Sequence, residues 1–433
     1  MRELPPGWAE TTLASLHVQS RTIDPRRTPD KEFRLYSVPS FELREPETAT
    51  GSAIGSAKLL VESGIVLLCK INPRINRVWV VRESGPYVAI ASSEWMTLSP
   101  GKLVLPEYLA YYLQQESVRE FLARNVSGVG GSLMRVKPSI LSQLVLRIPP
   151  HLEQRRIVSE IERYLSRIDV ASQALVATRG KVGSYVDYMF ERAASAAPCS
   201  DFRHVLAAPL ANGRSVPTAD SGFPVLRLTS IRNATKVDLS ECKIGDWDAR
   251  QAEAFLVRES DLLIVRGNGS LKLVGRAGLV QEVSSPVAYP DTLIRAKIDK
   301  RVALPAYVVR AWHTRIVRNQ IERAARTSAG IYKINQSDIE NLRIPLPPLP
   351  AQRRLASLAD AVESLATPAK SAIDRSIQMS ARLRQAILKK AFEGKLVLQD
   401  PNDEPASVLL ERIRAARANA PARRNPRKRE VHA

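Results

Sequence analysis

The chain has 433 residues, with 64 Lys and Arg against 44 Asp and Glu, a formal charge of +20 and a pI near 10.1. A hydrophobic fraction of 44% can supply a core to each of two ordinary domains and excludes a disordered chain. The excess of cations predicts a polyanionic partner, with nucleic acid first; there is no uncharged apolar run of about 18 residues and no apolar stretch at Met1–Pro6, so a cytoplasmic protein without a membrane span is expected.

From Trp8 to Leu146, short apolar runs alternate with Gly, Pro and Asn, as in Gly64–Lys70 followed by Ile71-Asn72-Pro73-Arg74, which reads as strands ending in turns. A helical pattern follows from Glu107 to Leu113 and on toward Phe121 and Leu122. A mixed α and β domain over 1–150 is predicted. The same order returns over 198–348, with Asp261–Arg266 as the buried strand and Ala306–Trp312 opening a helix that continues through Ile316 and Ile321.

Each domain leads into the same phrase. Ile148-Pro149-Pro150-His151-Leu152-Glu153-Gln154-Arg155-Arg156 is matched by Leu346-Pro347-Pro348-Leu349-Pro350-Ala351-Gln352-Arg353-Arg354. At the same offset, Gly131–Lys137 falls on Ala329–Asn335 without a gap. A repeat this long is a duplicated domain plus helix, since solenoid units span roughly 20 to 50 residues.

Helices are predicted over 151–197 and 349–398. Their apolar positions recur at alternating steps of four and three, through Ile157, Ile161, Ile168, Leu175 and Val182 in the first and Leu355, Val362, Ile373, Leu383 and Ile387 in the second. Matched seams separated by a whole domain predict an antiparallel coiled coil with pseudo-twofold symmetry and a mixed domain at either end. At roughly 1.5 Å per residue, the seam is long enough to hold two readers about a turn of DNA apart. Pro368 is expected to restart the second helix, with Thr367 as its cap. Residues 399–433 are read as a short helix near Ser407–Ile413 and a basic tail, Arg423–Arg429, which is either solvated or a phosphate contact.

The contact chemistry is sought in the loops. Lys70, Asn72, Arg74, Asn76 and Arg77 follow the buried strand of the first copy, and Arg266, Asn268, Ser270, Lys272 and Arg276 that of the second. Arg and Asn make bidentate contacts with guanine and adenine edges; the competing reading is a solvated β-turn. Arg135 and Lys137 match Lys333 and Asn335, with Tyr332 alongside, and these repeated positions are assigned to DNA-backbone anchoring. A structural strand end is the alternative.

Catalytic patterns are sparse. No phosphate-binding G-x-x-x-x-G-K-[ST] loop occurs, nor a glycine-rich methyl-donor site with its Asn/Asp-Pro-Pro-aromatic partner. Cys69, Cys199 and Cys242 are too few and too far apart for a disulfide framework or zinc site, and the five histidines lack metal spacing. Asp220, Glu241 and Lys243 fit the short acid, E-x-K pattern of some magnesium nucleases, a pattern frequent by chance.

The two P-P-x-x-x-Q-R-R junctions, the segment Gln385–Leu396 and Asp400–Ala406 resemble those of specificity subunits of type I restriction-modification systems, and the likeness runs along essentially the whole chain. The resemblance implies two target recognition domains reading the halves of a split, asymmetric DNA site, with the helices as a ruler. It also implies a noncatalytic chain that docks two methyltransferase subunits and motor-nuclease subunits; S-adenosylmethionine, ATP and magnesium would be used by those partners. The alternatives are a coiled-coil scaffold and a stand-alone nuclease.

Overall fold

Val66–Cys69, predicted as a buried strand, forms the centre of a three-stranded antiparallel sheet between Val78–Val80 and Trp95–Leu98, and all four of its residues are buried. A computed structural model describes residues 4–17, 20–127, 134–232, 235–328 and 330–418. A five-stranded sheet lies beside this one in the chain, ordered Thr22–Ile23, Lys58–Leu60, Val88–Ala91, Glu32–Tyr36, Glu47–Thr50. Helices α1 (Pro106–Leu113) and α2 (Glu116–Arg124) follow; Pro106 opens α1, where its missing N–H costs no helical bond. The first strand, Ala9–Thr12, pairs antiparallel with the last, Val145–Ile148, and delivers the chain to helix α3 (His151–Ala194).

The second copy uses different strands for the same purpose. Asp261–Val265 is wholly buried within a four-stranded sheet with Ala211–Asn212, Leu293–Lys297 and Ala277–Leu279. Four helices, α4 (Ala249–Ala252), α5 (Pro305–Trp312), α6 (Arg315–Ala324) and α7 (Gln336–Glu340), lie in the chain between Cys199–Asp201 and Arg343–Pro345, which pair antiparallel. Helix α8 (Leu349–Phe392) and the short α9 (Ala406–Ala418) complete the described chain. None of the helices among the described residues is long and apolar enough to cross a membrane.

The chain divides into two compact units, and the division cuts both long helices. Unit 1 comprises residues 1–174 and 376–433, and unit 2 comprises 175–375. In unit 1, Ile157, Ile161 and Leu165 of α3 share one core with Ile387, Leu388, Ala391 and Phe392 of α8. In unit 2, Phe190 and Ala194 of α3 share a core with Ala356 and Ala359 of α8. The pairing is antiparallel in each. Arg384 of α8 pairs with Asp169 of α3 in unit 1, and Asp374 of α8 pairs with Arg179 of α3 in unit 2.

The seam is tightest where domain side chains cover it. Ile157, Ile161 and Ile387 are buried, whereas Ile168, Leu175, Val182, Leu355, Val362 and Ile373 are only half-buried. Leu383, expected in the seam, is 49% exposed. Small or polar residues such as Ala171, Ala174, Thr178, Ala369 and Ser376 occupy the middle of the helices, so little apolar surface is available there to enforce a strict heptad. The expected restart at Pro368 does not occur: α8 continues through it. Pro368 is exposed, and Thr367, rather than capping a new helix, donates its hydroxyl back to Glu363 O at 2.7 Å.

Candidate nucleic-acid interface

The repeated Gln is a latch between each domain and its helix. Gln154 Nε2 donates to Leu103 O and Pro149 O at 3.0 and 3.1 Å, and its Oε1 accepts from Leu105 N at 2.8 Å. Gln352 makes the same contacts with Val302 O, Pro347 O and Leu304 N. Both side chains are fully buried. Tyr108 Oη donates to Arg147 O and Tyr307 Oη to Pro345 O, each at 2.9 Å. The next two residues diverge: Arg155, Arg353 and Arg354 are exposed, but Arg156 donates to the buried Asp403 at 2.5 Å. Beside it, Trp8 Nε1 donates to Glu153, whose carboxyl is pushed up by burial.

In unit 1 the loop after the buried strand meets the segment carrying Arg135. Ile71 bridges antiparallel to Arg135, Val136 N donates to Lys70 O, and Asn72 N donates to Met134 O. Asn72 and Asn76 both adopt left-handed backbone, with φ of 49° and 51°, framing the turn Pro73–Ile75. Several of the expected donors already have work within the fold. Asn76 Nδ2 donates to Leu113 O at 2.9 Å, and Arg77 pairs with Glu42 at 3.2 Å. Arg135 pairs with Glu94 at 3.0 Å, and that partner holds its guanidinium pKa up. Arg74 and Lys137 are exposed, Lys70 half-buried. Gly131–Leu133 lie outside the described residues, as does the basic tail Arg423–Arg429.

In unit 2, Arg266 follows the buried strand, and Gly267 and Asn268 pair in register with Lys333 and Tyr332. The loop and the repeated segment therefore form one surface, as in unit 1. Asn268 Oδ1 accepts from Ser270 N at 2.9 Å, fixing the turn toward the exposed Lys272. Arg276 is half-buried at the far side of that loop. Asn335 has a different task from the one expected: its side chain accepts from Asp338 N at 2.7 Å as the N-cap of α7. Tyr332 is half-buried and packs against the unit 2 core.

The acid and lysine of the nuclease pattern are otherwise engaged. Lys243 Nζ donates to Val216 O at 2.7 Å, while Glu241 accepts from Thr229 at 2.5 Å. Among the described residues no group of three or more His, Cys, Asp or Glu is placed to hold a metal ion. The Cys69 thiol is buried, which raises its pKa and disfavours the reactive thiolate.

No family model matches the chain. It is 27% identical over 358 residues to the type I restriction enzyme EcoKI specificity subunit of Escherichia coli K12, covering 76% of each chain. Over 354 residues it is 23% identical to the StySPI specificity subunit of Salmonella potsdam, again covering 76% of each. A chain from a solved structure titled for complex assembly and conformational transition of the type I R-M system superimposes with a TM-score of 0.65 at 19% identity, covering 92% of this chain and 100% of that one. Over about three quarters of its length, the chain is thus similar to type I specificity subunits.

The sequence reading missed the residues that set the electrostatics of the loops. Glu42 and Glu94 neutralise two cations of unit 1 from positions 35 and 41 residues away. Arg318 donates to Leu271 O and Val274 O and so clamps the loop that carries Lys272. Arg326 stands in register opposite Lys333. The first three are separated in sequence from the groups they touch, and only the position of Arg326, just before the repeated segment, was available as a signal.

Proposed function

We propose that this chain is the noncatalytic, sequence-reading subunit of a type I restriction-modification complex, binding double-stranded DNA at a two-part asymmetric site. The observation that carries this reading is the repeated pairing of loop to strand, Ile71 with Arg135 and Gly267 with Lys333, on a latch that is identical in both units. The frame repeats while the loop chemistry diverges, which suits two readers of different sequence. Phosphate contacts fix register and base contacts fix sequence. Arg266, Asn268 and Lys272 in unit 2, with Lys70, Asn72, Arg74 and Lys137 in unit 1, are the candidates for those contacts.

The long helices are the proposed docking surface for two methyltransferase subunits, and through them for motor-nuclease subunits, in the cytoplasm. S-adenosylmethionine, ATP and magnesium would serve the partners. The test is selection from random duplexes by the chain assembled with its methyltransferase. Enrichment of two short motifs at a constant spacing is expected; no enrichment would leave a coiled-coil scaffold as the better description.

A further inference from the structure

The two units place corresponding three-residue rows at the surface where loop and repeated segment meet. In unit 2 the row is Gly267, Lys333 and Arg326, side by side across three antiparallel strands. In unit 1 it is Ile71, Arg135 and Ser127. The rows share geometry and differ in charge. Arg135 is held by Glu94 at 3.0 Å, so the unit 1 row is neutral. Lys333 and Arg326 are both exposed, and among the described residues neither has an acidic side chain within ion-pair distance.

Like charges directly opposite on neighbouring strands destabilise a sheet. A Lys and an Arg in that relation, with no carboxylate to relieve them, form a site that an anion would stabilise. The third member of the row adds to this. A Cβ on Gly267 would meet Lys333 Cγ at 3.2 Å and Tyr332 O at 3.3 Å, so the lysine stem lies close along bare backbone. Asn268, Tyr332 and Thr327 form the next row and face the other way by the alternation of a strand.

We infer that Arg326 and Lys333 together bind a DNA backbone phosphate, so that unit 2 provides a salt-dependent grip which the neutral row of unit 1 does not. This rests on the DNA-recognition reading above. Each cation that neutralises a phosphate releases condensed counterions and steepens the salt dependence of binding by about 0.9 in log–log slope.

The experiment measures duplex binding by the full chain, assembled with its methyltransferase partners, from 50 to 200 mM salt. Comparison is made between the unaltered chain, Arg326→Gln with Lys333→Gln, and Arg135→Gln with Glu94→Gln. The unit 2 double variant should lower the slope by about 2, losing about tenfold less affinity across that salt range, with base preferences unchanged. The unit 1 double variant, which removes a neutral pair, should leave the slope as it was. If the unit 2 variant is poorly folded by thermal melting, Arg326→Lys with Lys333→Arg retains both charges and should retain the slope. An unchanged slope in a folded Arg326→Gln, Lys333→Gln protein overturns the inference, as does altered base preference at constant slope. Failure of the unaltered complex to bind any duplex would overturn the recognition reading itself.

Discussion

Gln154 and Gln352, one at the head of each long helix, make the same three hydrogen bonds to the backbone of their respective domains. Each amide satisfies one carbonyl and one N–H at the approach to α1 or α5, and the carbonyl of the proline five residues before it. Replacement by Leu keeps the volume and strands all three groups. Gln154→Leu and Gln352→Leu should each destabilise the protein by about 2–4 kcal/mol, since an unsatisfied buried group costs about 1–3 kcal/mol and partial relaxation recovers some of it. Denaturant unfolding checks this; a loss below about 1 kcal/mol in either would show that the latch is not structural.

Two ion pairs between residues far apart in the sequence should differ in strength. Asp403 is almost fully buried against Arg156, whereas Arg179 and Asp374 are both about half-exposed. Exposed pairs are screened and are worth roughly 0–1 kcal/mol. Double-mutant cycles should therefore give a larger coupling for Arg156 with Asp403, about 1–3 kcal/mol, than for Arg179 with Asp374. Equal couplings would contradict the burial argument.

Pro368 removes a helical donor in the middle of α8 without bending it into two elements. An interior proline costs about 3 kcal/mol relative to Ala. Because Pro368 is exposed, no packing offsets that cost. Pro368→Ala should raise the unfolding temperature, by a stabilisation of about 1–3 kcal/mol; a lowered temperature would mean that the proline ring makes a contact of its own.

His313 gives unit 2 a pH dependence. Burial holds its pKa down to about 4, below the ordinary 6.5, with its Nε2 bonded to Ala277 O at 2.8 Å. The unfolded chain therefore takes up the proton first. Stability is complete above about pH 6.5 and falls as the pH drops toward 4, by on the order of 3 kcal/mol. His313→Gln retains a donor for Ala277 O and does not titrate, so its stability should vary less across that window. Equal pH profiles for the two proteins would rule out His313 as the cause.

The repeat, the mixed domains and the two long helices were legible because each has a local signature: a duplicated P-P-x-x-x-Q-R-R, short apolar strands ending in Gly, Pro or Asn turns, and a four-three periodicity. The helix start at His151 follows from the proline pair, which ends the preceding strand at Ile148. What was not legible depends on neighbours distant in sequence. Asn76 reads as a free amide until Leu113 O is seen to accept from it. Arg135 and Lys333 occupy the same place in the repeat, yet one is matched by Glu94 and the other by a second cation. Periodicity also overstates the seam at Leu383, because a period records which face a residue is on and not whether anything covers it.

The division of both long helices between units has a consequence for inheritance. Phe392 is encoded with the second repeat, but its ring packs edge-on against Tyr108 and Tyr112 of the first. Phe190 is encoded with the first and packs against Tyr307 of the second. A gene segment exchanged as one whole repeat would thus arrive carrying the lid of the other repeat's core and lacking its own. Selection on each helix end is imposed by a domain from the opposite half of the gene, which favours exchange of the domain between the helices while the helices themselves stay fixed.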